Sequence, residues 1–282
     1  MKKTLILIFC TFIFSVSSAD TSNIQNKFLG SIENFLNENF VNTDFSIKSQ
    51  EHNKPEIGIL TIKPLIDNDQ DITFLQGSFF THDGDRETFN LGLGKRNLIN
   101  DENLMLGLNA FYDHELDYDH QRGSIGGEIK SSILELNTNH YFAISDTKTG
   151  KNNLQEEVVD GYDLEIGAHV PYIPSAKIFT KYFEYDLPGK GNDFKGLEYS
   201  SNIGIPNSGV NLELGYKDLD NSYEDRWFFA LTFNLNKIDK NKSFISKEAY
   251  EKISMKDKKY EKVRRENLIV KKKGFSVKAG GF

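Results

Sequence analysis

Four of the six histidines are the residues best suited to acid–base or metal chemistry: His114, His120, His140 and His169. Protein zinc sites usually draw on histidines and cysteines at short, regular spacings. None of the four lies at such a spacing from another histidine or a cysteine, and the one cysteine, Cys10, belongs to the N-terminal apolar run. The sequence therefore predicts no metal site, no cofactor and no catalytic residue.

A hydrolase is the alternative from a different class, because a barrel can carry a Ser–His dyad at its rim. No serine has an identifiable nucleophile context, and the pair Ser131-Ser132 is better interpreted as a turn. Asp113 and His114 are predicted to shape a rim. The expectation is that the protein is not an enzyme.

The elements that would position these residues are β-strands. Two alternating runs, around 86–96 and 103–114, meet at the polar turn Asn100–Asn103. In the second run, Leu104, Leu106 and Leu108 share one face, opposite Met105, Gly107 and Asn109. Side chains in a strand change face at every residue, so this period of two predicts a β-hairpin with one apolar face. A soluble sandwich would show the same alternation, with its charges facing solvent.

Twelve strands are predicted from the same pattern along the chain. They lie at about 43–50, 56–65, 71–81, 86–96, 103–114, 120–130, 133–145, 160–171, 175–186, 193–203, 208–217 and 224–235. Several reach ten residues or more, near the ~9–11 that cross a bilayer when tilted. Short turns alternate with long polar loops at 146–159 and 186–192, as in outer-membrane barrels. For strand 175–186 neither face can be assigned to lipid.

The N-terminus predicts export. A basic start, an apolar run from Leu5 to Val16 and the small residues up to Ala19 describe a signal peptide, cut between Ala19 and Asp20. No later segment is apolar over the ~20 residues that a membrane-spanning helix needs. A membrane location therefore requires a closed barrel, the other fold that pairs every backbone group in lipid.

Charge is divided unevenly between the predicted barrel and the C-terminal tail. Residues 237–282 carry 15 basic and 6 acidic side chains, whereas residues 20–236 carry 17 basic and 35 acidic ones. Opposite net charges favour a tail that lies against or inside the acidic barrel. A nucleic-acid arm would have the same composition, but an exported chain makes that role a poor fit.

The glycines of the strands fit an occupied lumen. Gly92 and Gly94, like Gly126 and Gly127, lie within strands and not before a helix, so they do not form phosphate loops. They are predicted to leave room inside the barrel for a linker. Further on, Ser246 is predicted to cap a helix over 246–253.

The motifs resemble one family. Gly92–Arg96 followed by Met105–Asp113 is similar to the signature of the inverse autotransporter β-domain, the intimin/invasin family. Further similar stretches come in order: Arg122–Glu128, Asn139–Phe142, Asp160–Leu164 and Pro171–Pro174. Tyr260–Val270 resembles the linker that follows the family's pore helix. The resemblance covers about residues 25–272.

The resemblance implies an all-β fold: a single antiparallel twelve-stranded transmembrane β-barrel of the bacterial outer membrane, with a helical or extended linker in the pore. In the family that linker carries a surface passenger, usually immunoglobulin-like adhesion repeats. The expected partners are outer-membrane lipid, the barrel-assembly machinery and periplasmic chaperones, without nucleic acid. Here the chain stops soon after the linker motif, and the expectation is a very short or missing passenger.

These expectations divide the chain into four parts. They are a signal peptide at 1–19, a short periplasmic lead-in at 20–42, a barrel at 43–236 and a basic linker and tail at 237–282. The expected function is anchoring and translocation of a C-terminal passenger. The alternative is a small plugged outer-membrane channel.

Overall fold

The computed structural model describes residues 42–187, 189, 193–220, 223–235, 243–250 and 252–274. The predicted signal peptide and the lead-in up to residue 41, for which the sequence predicts a short helix near 27–37, lie outside the described residues, as do the last residues of the tail. Within the described part, no helix has the length and apolar character needed to cross a membrane.

Twelve antiparallel strands close into a barrel, as the sequence predicted. They are β1 (Asn42–Gln50), β2 (Glu56–Asp67), β3 (Asp71–His82), β4 (Arg86–Ile99), β5 (Leu104–Glu115), β6 (His120–Ser131), β7 (Leu134–Ala143), β10 (Gly161–His169), β11 (Ala176–Tyr185), β12 (Phe194–Ile205), β13 (Val210–Leu219) and β14 (Arg226–Asn234). Each strand pairs with its neighbour in sequence among these twelve, and β1 pairs with β14 to complete the ring.

The long loop between β7 and β10 forms a small sheet with the end of the chain. Its strands are β8 (Lys148–Thr149) and β9 (Gln155–Val158), with the single 3₁₀ turn Lys151–Asn153 between them. The C-terminal strand β15 (Lys271–Lys273) pairs antiparallel with β9. We call the barrel end that carries this loop the long-loop rim and the opposite end the short-turn rim.

Alternation along the strands separates two faces of the wall. Leu106 and Leu108 are exposed on the outer face of β5, whereas Asn109 and Asp113 are buried on the inner face. On β14, Trp227 and Phe229 are exposed on the outer face, opposite the buried Phe228. The faces predicted for these strands are confirmed.

Strand β11, which the sequence left unassigned, has its phenylalanine and lysine side chains inside. Phe179 and Phe183 are buried, and Lys181 pairs with Glu198 at 3.0 Å on the inner face of β12. Ile178 lies on the outer face, 53% exposed. The inner face is therefore the more aromatic one, and apolar content alone could not identify the lipid side.

At Gly126 a Cβ would lie 2.5 Å from Asn139 Oδ1 and 2.7 Å from Asn109 Oδ1, and at Gly127 its nearest neighbour would be Thr138 at 3.7 Å. Beside Gly92 and Gly94 the predicted room is filled by aromatic rings of the wall, not by the linker directly. A Cβ placed on Gly92 would lie 2.2 Å from the ring of Phe111, its partner on β5, and one on Gly94 would lie 2.4 Å from Phe74 on β3. Each glycine thus lets a cross-strand ring lie flat on the wall. The same pairing recurs at Gly58/Phe80, Gly167/Phe179 and Gly215/Phe228.

The helix predicted over 246–253 is wrong for the described residues, where 246–250 form bends and a single 3₁₀ turn comes after them at Met255–Lys258. The backbone groups that a helix would use bind the short-turn rim instead. Ser246 N–H donates to the Tyr172 carbonyl at 2.8 Å, and Tyr172 N–H donates to the Ala249 carbonyl at 2.9 Å. Tyr172 has a φ of +63°, which turns both of its backbone groups toward this stretch.

Candidate functional site

The inner face of the barrel and residues 252–274, which we call the C-terminal segment, form the most extensive polar site of the described chain. The segment begins at the short-turn rim, where Met255 N–H donates to the Glu102 carbonyl at 2.8 Å. Lys259 then pairs with Asp67 at 2.5 Å. At its other end, Lys271–Lys273 pairs with β9 at the long-loop rim.

Apolar side chains of the segment join buried clusters of the wall. Met255 is fully buried against Leu98 and Met105. Val263 packs into a cluster that includes Phe74 and Phe111. Burying such a side chain is worth about 1.5–3 kcal/mol, so these two contacts contribute to holding the segment against the wall.

Asp113 is the centre of a buried ion network. Its carboxylate accepts hydrogen bonds from both terminal nitrogens of Arg265, at 2.8 and 2.6 Å, and from Arg122 Nε at 2.9 Å. Asn90 donates to the same carboxylate at 2.7 Å. The side chains of Asp113, Arg122 and Arg265 are all fully buried. The prediction that Asp113 shapes a rim is wrong, because it shares the inner face of β5 with Asn109 and binds the segment.

Arg264 forms the second anchor of the segment. It makes a bidentate pair with Glu165 on β10, at 2.5 and 2.9 Å, and approaches Glu213 at 3.4 Å. Its guanidinium lies 3.7 Å from the centre of the Phe179 ring. Stacking on a ring and bidentate pairing are the two contacts for which arginine is better suited than lysine.

Wall side chains also bind the main chain of the segment. Arg96 donates to the carbonyls of Lys259 and Glu261, at 2.6 and 2.7 Å. Arg122 donates to the carbonyls of Glu266 and Leu268, at 2.7 and 3.0 Å. Between residues 259 and 270 the segment has no helix or strand of its own, so these side chains satisfy backbone groups that would otherwise need water.

A separate cluster at the long-loop rim brings together Glu115, His120 and Glu156, whose ligand atoms all lie within 4.8 Å of one another. Both carboxylates already have cationic partners: Arg86 contacts Glu115 at 2.5 Å and Glu156 at 2.6 Å, and Lys271 of the segment contacts Glu115. Glu156 thus links β9 to the wall and to the segment. Sequence spacing gave no signal for this cluster, because Glu156 lies in a loop far from His120.

The electrostatics of Glu156 favour its charged form. Burial would raise the pKa of its carboxyl, but the hydrogen bonds from Arg86 and the charges of Lys271 and Arg86 outweigh that effect. The pKa of Glu156 is therefore below its usual value. The Glu156 carboxylate is therefore charged at neutral pH, where it pairs with Arg86 and lies close to Lys271.

His114, His140 and His169 do not join this cluster, whereas His82 Nε2 lies 3.8 Å from Glu115. His114 contacts Asp119 at 3.0 Å in an exposed turn, and His169 contacts Lys258 of the segment at 2.8 Å. His140 is exposed on the outer face of β7. Ser131 and Ser132 lie at the β6–β7 turn, where Ser132 Oγ donates to the Ile253 carbonyl at 2.9 Å. No serine–histidine pair is formed by these residues.

The comparisons with known proteins agree with this geometry. Residues 14–267 match the family model described as "Inverse autotransporter, beta-domain". This chain belongs to the inverse autotransporter β-domain family. It is an outer-membrane barrel, and its apolar outer face contacts lipid. In such barrels the short turns face the periplasm and the long loops face outward.

Relatives of the family are longer proteins. The chain is 27% identical over 176 residues to "Putative attaching and effacing protein homolog" of Escherichia coli (strain K12), covering 62% of this chain and 57% of that protein. It is 31% identical over 130 residues to "Intimin" of Escherichia coli O111:H-, covering 45% of this chain and 13% of intimin. The chain therefore spans little more than half of the first relative and a small part of the second.

A solved chain described as "Unveiling the Mechanism Behind the in-meso Crystallization of Membrane Proteins" has the same fold. The TM-score is 0.67 at 22% identity, covering 82% of this chain and 99% of that chain. At this identity the likeness concerns the fold alone.

Proposed function

We propose that this barrel anchors the chain in the outer membrane and holds the C-terminal segment through the lumen, so that residues beyond Gly274 are delivered to the cell surface. The proposal keeps the division into barrel and linker and includes no catalytic step. The barrel-assembly machinery and periplasmic chaperones are proposed as partners in assembly, by analogy with the family.

The observation that carries the proposal is the order of contacts along the segment. Met255 bonds to the short-turn rim, Arg265 bonds to Asp113 inside the wall, and Lys271–Lys273 pairs with β9 at the long-loop rim. Each successive contact lies nearer the outside. This order is the one expected of a chain that crosses the barrel once, from periplasm to surface.

Cysteine labelling in intact cells tests the proposal, because Cys10 is the sole cysteine of the sequence and lies in the predicted signal peptide. A Gly274→Cys variant should react with a membrane-impermeant maleimide added from outside. Asp186→Cys, at an exposed residue directly after β11, is the positive control, and Lys256→Cys at the short-turn rim should stay unlabelled. Failure to label Gly274→Cys in a folded barrel would contradict the proposal.

A plugged channel is the second candidate, favoured by the space that remains beside the segment. A cavity of about 340 Å³ lies there, lined by Lys48, Lys181, Lys217 and Glu198 among others. A channel role predicts ion conductance by the full-length protein, whereas an anchoring role predicts little conductance while the segment stays docked. Planar-bilayer recordings of the native chain separate the two.

A further inference from the structure

We propose that the inner wall is a binding track for the main chain of an extended polypeptide, and that Arg264 and Arg265 are the side-chain anchors that stop the linker on it. The inference deepens the proposed function, on which it rests, by naming the ligand class: extended polypeptide, recognised through its backbone carbonyl and N–H groups and largely regardless of sequence.

The first argument is the number of main-chain groups bound by the wall. Seven carbonyls between Lys259 and Leu268 accept hydrogen bonds from wall side chains. The donors are Asn42 to Tyr260, Arg96 to Lys259 and Glu261, Asn139 to Arg264, Asn90 to Asn267, and Arg122 to Glu266 and Leu268. Gln76 and Tyr141 accept from the N–H groups of Val263 and Glu266, at 2.8 and 2.7 Å. Contacts of this kind carry no information about side-chain identity.

The second argument is that these groups follow one another from the short-turn rim toward the long-loop rim, in an array that we call the stripe. They lie on β1, β3, β4, β6 and β7, within seven consecutive strands of the ring. Arg96, near the short-turn end of β4, binds the start of the stretch, and Asn90, nearer the long-loop end of the same strand, binds Asn267. The stripe therefore runs in the direction in which a chain would move outward.

The third argument is spare hydrogen-bonding capacity on the same wall. Gln76 Nε2, Asn109 Oδ1 and Asn137 Oδ1 are buried and have no partner among the described residues. Buried polar atoms in proteins are normally paired. A stripe that offers more polar groups than the linker uses is suited to holding chains in more than one register.

The fourth argument is the space beside the segment. The cavities there, of about 340 and 150 Å³, are lined by both lysines and glutamates, including Lys48, Lys181, Glu56 and Glu198. Lys181 pairs with Glu198 at 3.0 Å across this lining. A wet lining with both signs of charge tolerates acidic, basic and small side chains, so the wall can hold a backbone while the side chains project into open space.

The anchors differ from the track because they depend on side chains. Arg265 pairs with Asp113 and Arg264 pairs with Glu165 on the wall, and both pairs are bidentate. A segment that passes through the pore without two adjacent arginines would bind the track through its main chain but would lack the side-chain contacts that hold it in one register. The two arginines would therefore fix the final register of the linker.

The test measures ion conductance of the full-length protein in planar bilayers, with heat-modifiable mobility to show that each variant is folded. The combined variant Asn267→Ser and Leu268→Thr changes side chains but keeps every main-chain group, and its conductance should equal that of the native chain. Glu266→Pro removes the N–H that donates to Tyr141, and the conductance should rise several-fold. Asn267→Pro is the control, because its N–H makes no hydrogen bond to the described wall.

Tyr141→Phe removes the acceptor of the same hydrogen bond and also the hydroxyl that donates to Asp163 at 2.7 Å, so it should raise the conductance at least as much as Glu266→Pro does. The double variant should conduct no more than Tyr141→Phe alone, since the proline then has no further hydrogen bond to the wall to remove. If the side-chain variant opens the pore, or if Glu266→Pro behaves like Asn267→Pro, the track is overturned. Labelling of Gly274→Cys from outside separates the two proposals. If either contrary conductance result is found and Gly274→Cys is labelled, only the track is refuted. If Gly274→Cys also resists labelling, the proposed delivery to the cell surface is refuted as well.

Discussion

Removing the guanidinium of Arg265 should loosen the C-terminal segment more than any other single truncation in it. Arg265 and Asp113 are both fully buried, and two hydrogen bonds of 2.8 and 2.6 Å join them. Breaking a buried pair by removing one partner costs about 3–5 kcal/mol. Arg122 stays on Asp113 in the variant, so the lower end, about 3 kcal/mol, is the appropriate magnitude.

A loss of about 3 kcal/mol changes an equilibrium by roughly two orders of magnitude. For Arg265→Ala, the ratio of undocked to docked segment should rise by that factor, which single-channel recording detects as more frequent opening than in the native protein. Arg265→Lys keeps the charge but loses the bidentate geometry, so an intermediate opening frequency is expected.

The matched control is Lys262→Ala in the same segment. Lys262 lies 3.7 Å from Asp44 and is 40% exposed, and pairs of this kind contribute only about 0–1 kcal/mol. Its opening frequency should stay within several-fold of the native value. Equal opening by Arg265→Ala and Lys262→Ala would refute the idea that the buried network holds the segment.

Three further predictions concern the wall and the loop. Gly92→Ala should lower the yield of heat-modifiable barrel, because the added Cβ meets the Phe111 ring, whereas Gly77→Ala has open space and should assemble normally. Leu212→Arg should impair assembly in the same assay, since a charge at mid-bilayer on the outer face costs ~2–4 kcal/mol; normal assembly would show that this face is not lipid-exposed. Because the pKa of Glu156 is lowered, its contacts contribute stability above the ordinary value of 4.5 and lose it as the pH falls through the lowered pKa. At neutral pH the native β7–β10 loop should therefore resist a protease active there, whereas the loop of Glu156→Gln should be cleaved; equal resistance of the two proteins would contradict this.

The barrel was predictable from the sequence because a lipid-facing wall imposes a strict period of two. Leu106 and Asn109 fall on opposite faces for that reason, and the twelve predicted strands match those observed within a few residues. The lipid face of strand β11 could not be assigned because Phe179 and Phe183 face inward, where Phe179 lies under the guanidinium of Arg264. Inner aromatic residues of this kind weaken the apolar contrast by which a lipid face is recognised.

The polar site was less predictable, since its contacts join distant parts of the chain. The opposite net charges of barrel and tail indicated that the two contact each other. They did not indicate that Asp113 would form an ion pair with Arg265 or that Glu156 would contact His120. The predicted helix at 246–253 failed because helix signals are local, whereas Tyr172 of a distant turn binds the backbone there. Local propensity yields to tertiary hydrogen bonds at such positions.

The central claim, that the C-terminal segment runs through the lumen, is tested most directly by crosslinking inside the barrel. Gln76 on β3 and Val263 of the segment are joined by a 2.8 Å hydrogen bond. Paired cysteines at these two positions, treated in intact cells with a short thiol crosslinker, should give a linked protein of altered mobility. Absence of that product, while a Thr43/Thr61 cysteine pair across β1 and β2 links under the same treatment, would contradict the account.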